Sequence, residues 1–300
     1  DLFGTSFVRK MLVDTMPKTF SELVRISGFS HGTDVWLNNA QDLITSGTVQ
    51  LKEAVSTRDD IMNYLINHGI TRKTSFKVME NVRKGKGIDK RNKVGEKTTD
   101  YERELRRGNI PQWFIESCRK IGYLFPRAHA VAYVMMAFRI AWYKINYPLA
   151  YYAAYFTIRA KAFDISMMIH GPETAKKSLK AIAAKGDGAT KIDEDLYATL
   201  ELVVEMNLRG ISFMNIDINK SDATKFTIYD GKILLPFTAL DGLGKNVAEQ
   251  IVAARSEQEY TSKEDLKYRG KLGQTLIDAL ASEGCLGELP EDEQIDLFAM

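Results

Sequence analysis

Cysteine is scarce in this 300-residue chain, and the two present, Cys118 and Cys285, stand far apart. They form neither a disulfide framework nor a metal or redox spacing, which fits a reducing interior. Long charge-free apolar runs are also lacking. The most apolar stretch, AHAVAYVMMAFRIAWYKINYPLAYYAAYFTI, is broken by His129, Arg139, Lys144 and Pro148. A membrane-spanning helix needs about 20 nearly uncharged residues, so no membrane segment is expected. No signal peptide opens the chain. It begins at DLFGTSFVRKML without an initiator Met and reads as part of something longer. The common catalytic signatures are missing too: G-x-x-x-x-G-K-[ST], G-x-S-x-G, H-E-x-x-H and any Cys/His cluster. No Asp-x-Asp on a strand suggests two-metal chemistry. Ser30 and His31 are adjacent, near Asp34, but adjacency in sequence does not make a nucleophile–base pair.

What is present is an ordinary globular composition, 45% hydrophobic and 27% charged, long enough for one large or two medium domains. The net charge is only +2, but it is unevenly placed. Thr71 to Arg107 holds 13 Lys/Arg and 6 Asp/Glu, whereas Glu283 to Met300 holds six acids and no Lys or Arg. A basic middle and an acidic end point to two partners of different chemistry. A solvated face and a solubilising tail would give the same pattern.

The chain reads as mainly α. Thr19 and Glu22 form a capping-box pattern opening FSELVRISG, with Gly28 placed to close that helix. Thr33 or Asp34 caps a short helix through VWLNNAQDLI. Thr57 and Asp60 open RDDIMNYLINHG, closed by Gly69. TRKTSFKVMENVRKGKG is a basic helix running into a Gly-Lys loop. Further helices are expected at 101–107, after Pro111, over 127–160 with a break near Pro148, and at 173–185 and 193–208. Asp230-Gly231, between two apolar runs, predicts a two-residue β-hairpin turn. A domain boundary is expected near 205–215. The acidic tail after Pro290 has few anchors and reads as disordered.

Three stretches carry chemistry. In LFPRAHAVAYVMMAFRI, His129 and Tyr133 are four apart and share one helix face, about 6 Å apart along the axis. Arg127 lies at the helix start, after Pro126. Donors for phosphates, a flat ring for a base and a helix N-terminus together suit a nucleoside triphosphate. A core helix with a packed Tyr and an internally bonded His fits the same spacing. In NVRKGKGIDKRNK, glycines permit close backbone approach, and Arg83, Lys84 and Lys86 can neutralise phosphates. A flexible basic loop is the alternative. In LDGLGKNVAEQIVAAR, Gly242 and Gly244 turn between short amphipathic helices, and Lys245 and Arg255 add charge. This resembles the helix-hairpin-helix motif, whose backbone N–H groups hold a DNA phosphate without reading the base. YRGKLGQTLIDALASEG resembles a degenerate partner, with Gly270, Lys271 and Gly273 in its turn.

FGTSFVRKMLVDTMPKTFSELVRISGFSHGTDVWLNNAQDLI, RKGKG, IPQWFIESCRKIGYLFPRAHAVAYVMMAFRIAWYKINYPLAYYAAYF and LDGLGKNVAEQI resemble, in order, the C-terminal third of the PolC-type bacterial DNA polymerase III α subunits. The SHGTDVW and FPRAHAVAY blocks are specific to that family. The resemblance implies a multi-helical fingers domain over 1–210, its first 50 or so residues bordering the palm. After it come a small α-rich tandem helix-hairpin-helix domain with a β-hairpin over 211–290 and a tail over 291–300. It implies a DNA-directed DNA polymerase whose palm carboxylates, with their Mg2+, lie upstream of Asp1, leaving this segment inactive by itself. It assigns Arg83 and His129 to the dNTP phosphates and Tyr133 to the base, with Lys84, Lys86 and Arg127 as further candidates. It also implies primer-template DNA, other replisome subunits and a cytoplasmic, nucleoid location.

The tail, EDEQIDLFAM, contains Gln294, Ile295, Leu297 and Phe298. It resembles the Q-L-[SD]-L-F peptide by which bacterial proteins bind the β sliding clamp. Gln294 would bond to backbone while Leu297 and Phe298 fill an apolar pocket. Two alternatives stay open: a non-enzymatic helix-hairpin-helix DNA-binding module, and a clamp-binding adaptor in which the tail is the main functional element.

Overall fold

A computed structural model describes residues 3–292. The chain divides into two compact units, Asp1–Ala141 and Trp142–Met300. The boundary expected near 205–215 lies inside the second unit. Among the described residues no helix is long and apolar enough to cross a membrane.

Among the described residues, the regular elements of the first unit are helices, joined by loops and isolated β-bridges. α1 (Ser6–Thr15) starts on the Thr5 hydroxyl. α2 (Phe20–His31) starts on the capping box of Thr19 and Glu22. It does not stop at Gly28, as the sequence suggested, but runs a further turn. A β-carbon on Gly28 would sit 2.5 Å from the Ser56 carbonyl oxygen, so this glycine serves close helix–loop packing rather than termination. The short helix expected through VWLNNAQDLI divides into a wide turn at Trp36–Ala40 and α3 (Gln41–Thr45), because Asn38 adopts a left-handed conformation. α4 (Arg58–Asn67) opens on the Thr57–Asp60 box, and Gly69 follows it with positive φ, as expected. α5 (Arg72–Val82), α6 (Tyr101–Arg107) and α7 (Gln112–Lys120) complete the layer around a core that includes Phe29, Trp36, Leu65, Val82, Phe114 and Leu124. α8 (Arg127–Asn146) differs from these. Over 20 residues it buries only Ala130 and Val134, against Val24 of α2.

The second unit begins within the end of α8. Pro148 interrupts the apolar run and starts α9 (Pro148–Ile158), where its missing N–H costs nothing. α10 (Ile165–Met168), α11 (Pro172–Ala183) and α12 (Lys191–Leu208) follow. Asp230 and Gly231 both have positive φ, the geometry of a two-residue hairpin turn. They join β2 (Thr227–Tyr229) to β3 (Lys232–Leu234), with Ile228 opposite Ile233. A third strand escaped sequence reading. β1 (Phe213–Met214) pairs parallel to β3, giving the order β1-β3-β2. Two residues are too few to show a period. α13 (Lys245–Glu257), α14 (Lys263–Arg269) and α15 (Gln274–Ser282) form the end of the unit. The core includes Phe156, Phe213, Phe237, Ile251, Leu266 and Leu280. Both cysteines are buried; burial pushes the Cys118 thiol well up and the Cys285 thiol up to about 12, so neither is a reactive thiolate. Gln294, Ile295, Leu297 and Phe298 lie outside the described residues.

Candidate nucleotide and duplex sites

In the first unit, α5 ends at Val82 and the chain turns through Arg83, Lys84, Gly85, Lys86 and Gly87. Gly85 and Gly87 have φ of 68° and 71°, open to glycine at no steric cost. A β-carbon on Gly85 would come 2.5 Å from the Gly122 carbonyl oxygen, so the loop lies backbone to backbone on residues 121–126. Leu124 N–H donates to the Arg83 carbonyl at 3.3 Å. That same segment is pinned to the SHGTD block. Thr33 N–H donates to the Tyr123 carbonyl at 2.9 Å, and Gly122 N–H donates to the Thr33 carbonyl at 3.0 Å. Arg58 N–H donates to the Phe125 carbonyl at 3.2 Å. Blocks remote in sequence thus meet on one short extended segment that leads directly into α8.

The guanidinium of Arg83 forks onto Glu80, with Nη2 2.9 Å from Oε2 and Nε on Oε1. Lys84 Nζ is 3.0 Å from the same carboxylate. Hydrogen bonds from Arg83, then Lys84, hold Glu80 down to about 2, and Glu80 in turn raises Arg83. Lys86 is exposed in the loop.

His129 and Tyr133 stand on the exposed side of α8, with Tyr133 56% accessible and the ring centroids 6.1 Å apart. The packed-core alternative therefore fails for this pair. The row continues beyond them. Phe125 meets His129 edge-on at 5.8 Å, and His31 lies 5.0 Å from Phe125. Sequence reasoning set His31 aside; nothing in its spacing relates it to Phe125, which is reached only through the Thr33–Tyr123 pairing. Arg127 is engaged locally, its N–H donating to Asp59 Oδ2 at 2.9 Å and its Nη1 3.4 Å from Asp60 Oδ1.

In the second unit, the two hairpins repeat one backbone geometry. Gly242 has φ of 77°, Leu243 is buried, and Gly244 caps α13 at φ −72°, ψ 158°. Lys271 has φ of 55°, Leu272 is buried, and Gly273 caps α15 at φ −76°, ψ 159°. The left-handed position of the second turn is therefore Lys271, not Gly270. Gly270 ends α14, and a β-carbon there would lie 2.6 Å from the Leu266 carbonyl oxygen. Arg269 braces the pair: its Nη2 donates to the Gln258 carbonyl at 2.7 Å and its Nη1 lies 2.9 Å from Asp265. Lys245 and Lys271 are exposed at the two turns. Arg255 turns inward instead. Its Nη1 donates to the Ile218 carbonyl at 2.9 Å and its guanidinium lies 5.9 Å from the Phe237 ring centre. Desolvation lowers it.

Among the described residues, no group of three or more His, Cys, Asp or Glu could hold a metal ion.

Residues 2–104 match the bacterial DNA polymerase III alpha subunit finger domain, and residues 210–295 match a helix-hairpin-helix motif. Over 99% of its length the chain is similar to three proteins described as DNA polymerase III PolC-type. Identity is 54% with that of Thermotoga maritima, and 50% with those of Caldanaerobacter subterraneus and Bacillus subtilis. It covers 21% of the first and 20% of each of the others, so it spans about a fifth of the length of these relatives.

Proposed function

Because the chain belongs to the PolC-type family of bacterial DNA polymerase III α subunits, we propose that it supplies the nucleotide-holding and duplex-holding parts of a replicative DNA polymerase. The carboxylates that hold Mg2+ would then come from the part of the polymerase outside this chain. Bound there, the metal would stabilise charge on the transferring phosphate.

The observation that carries the nucleotide assignment is the exposed pair His129 and Tyr133, set on a helix whose lead-in segment is bonded to the Arg83 loop. Arg83, with Lys84 and Lys86 beside it, offers donors to the triphosphate, and Arg83 stabilises charge developing on departing pyrophosphate. His129 donates to a phosphate. Tyr133 stacks on the incoming base without reading it, since template pairing sets identity. Arg127 starts the same helix, but its contacts to Asp59 and Asp60 tie it to structure before any ligand.

Duplex binding falls to the paired turns. The first backbone N–H groups of α13 and α15 have no side-chain cap, and the exposed Lys245 and Lys271 stand beside them, suited to phosphates on a duplex of any sequence. Arg255 is left out because its donors serve Ile218. The QIDLF tail is read as a tether to the β sliding clamp, and the protein as a cytoplasmic replisome component. In the full-length polymerase, Tyr133→Ala should raise dNTP KM about five- to hundredfold, the worth of a lost stacking platform, with primer-template Kd unchanged. Unaltered dNTP kinetics would remove the assignment.

A further inference from the structure

α8 presents the nucleotide-facing pair, yet it is poorly held by apolar packing. Ala130 and Val134 are its only fully covered residues among those described, and their cluster adds one further buried side chain, Val24. Its first turn, which carries Ala130, is held by polar contacts as well. The Arg127 backbone N–H is one of the four at a helix start that find no partner inside the helix. It donates to Asp59 Oδ2 at 2.9 Å, a cap supplied from another helix. Next to it, Asp60 Oδ1 lies 3.4 Å from Arg127 Nη1. Asp60 is itself immobilised. Its Oδ2 accepts from Ser56 N–H at 3.1 Å, Ser56 Oγ at 2.8 Å, Thr57 N–H at 2.8 Å and Thr57 Oγ1 at 3.0 Å. Arg25 Nη1 stands 3.3 Å from that oxygen and donates to the Ala54 carbonyl at 2.7 Å. Arg58 N–H, from the same turn of α4, holds the Phe125 carbonyl at 3.2 Å.

We propose that Asp59 and Asp60 are positioning residues for the incoming nucleotide. They form a latch that sets the direction of the first turns of α8 on the first unit, and so the place of His129 and Tyr133. The inference rests on the nucleotide reading given above. Its physical content is leverage. With the helix held at Arg127, His129 lies about 3 Å along the axis and Tyr133 about 9 Å. A given tilt at the latch therefore displaces the base platform about three times as far as the phosphate donor. Displacement of a binding group by about 1 Å is enough to cost up to a hundredfold in rate. Asp59 is the sharper probe of the two. Its side chain is 43% accessible and takes no part in the core, whereas Asp60 also closes the start of α4.

The test uses the full-length polymerase on primed template, with single-nucleotide incorporation kinetics, primer-template Kd and melting temperature measured together. Asp59→Ala removes the cap, Asp59→Asn keeps an acceptor oxygen, and Tyr133→Ala reports on the nucleotide reading itself. Asp59→Ala should raise dNTP KM about tenfold, with primer-template Kd and melting temperature near wild type, and Asp59→Asn should restore most of it. Unchanged KM in Asp59→Ala alongside a raised KM in Tyr133→Ala would overturn the latch and leave the nucleotide reading standing. Unchanged KM in both would remove the nucleotide reading and the latch with it. A loss in Asp59→Ala shared equally by KM, primer affinity and melting temperature would mark the residue as merely structural and overturn the proposal too.

Discussion

Gly85 and Gly122 pack backbone against backbone, 2.5 Å separating the Gly122 carbonyl oxygen from where a β-carbon on Gly85 would stand. Gly122 is also crowded, though less so, with Asp34 Oδ2 3.0 Å from its own would-be β-carbon. This contact sets the Arg83 loop against the segment that launches α8. Gly85 also holds φ of 68°, so alanine there meets strain as well as collision. Gly85→Ala is expected to destabilise the first unit by about 2 kcal/mol or more and to raise dNTP KM in the full-length enzyme. Chemical denaturation and incorporation kinetics check both. A neutral result would mean that the two backbones are not apposed.

Glu80 occupies the donors that a triphosphate would need. Glu80→Gln should therefore lower dNTP KM about two- to threefold, because the carboxylate no longer competes for Arg83 and Lys84. The stability change should be small, about 0.3–0.5 kcal/mol, the range of helix pairs three or four residues apart. Its pH sign is fixed. The carboxyl is held at about 2 in the folded chain, below its ordinary value of 4.5. The pair's contribution is therefore complete above that ordinary value and fades as pH falls from it through about 2. A pH titration of wild type against Glu80→Gln should show curves that converge in acid.

The second hairpin keeps a lysine where the first has glycine. A left-handed residue with a side chain costs about 1 kcal/mol, so Lys271→Gly should raise stability by about 0.5–1 kcal/mol. The same change removes a cation from the turn. Duplex affinity should fall at low salt, with the log–log salt slope shallower by about one. Retention at Lys271 of a strained backbone is what a phosphate contact would explain. An unchanged salt slope would deny that contact.

Paired alanines at Leu297 and Phe298 should abolish clamp-dependent processivity and leave basal synthesis intact. A lowered melting temperature instead would mean that these side chains pack on the chain itself.

How much of this could be read in advance follows from what local sequence encodes. Capping boxes at Thr19–Glu22 and Thr57–Asp60, the 101–107 helix, the Pro148 break and the Asp230-Gly231 turn were all legible, because each depends on residues within one or two turns. Gly28 misled because a glycine can end a helix or admit a neighbour, and only the Ser56 carbonyl decides which. β1 was invisible because each of its residues pairs twenty positions away and its length is two residues. At the sites, His129, Tyr133 and the hairpin glycines carried their own spacing. His31 joined the aromatic row, and Asp59 capped α8, only through long-range contacts. Charge alone could not show that Arg255 turns inward or that Lys271 takes the left-handed position of the second turn.

The most direct measurement is photocrosslinking of a base-modified dNTP to the full-length polymerase on primed template, followed by peptide mapping. The account predicts an adduct on α8 at or beside Tyr133, formed only when the templating base is complementary. Label that avoids α8, or that reaches it regardless of the templating base, would contradict it.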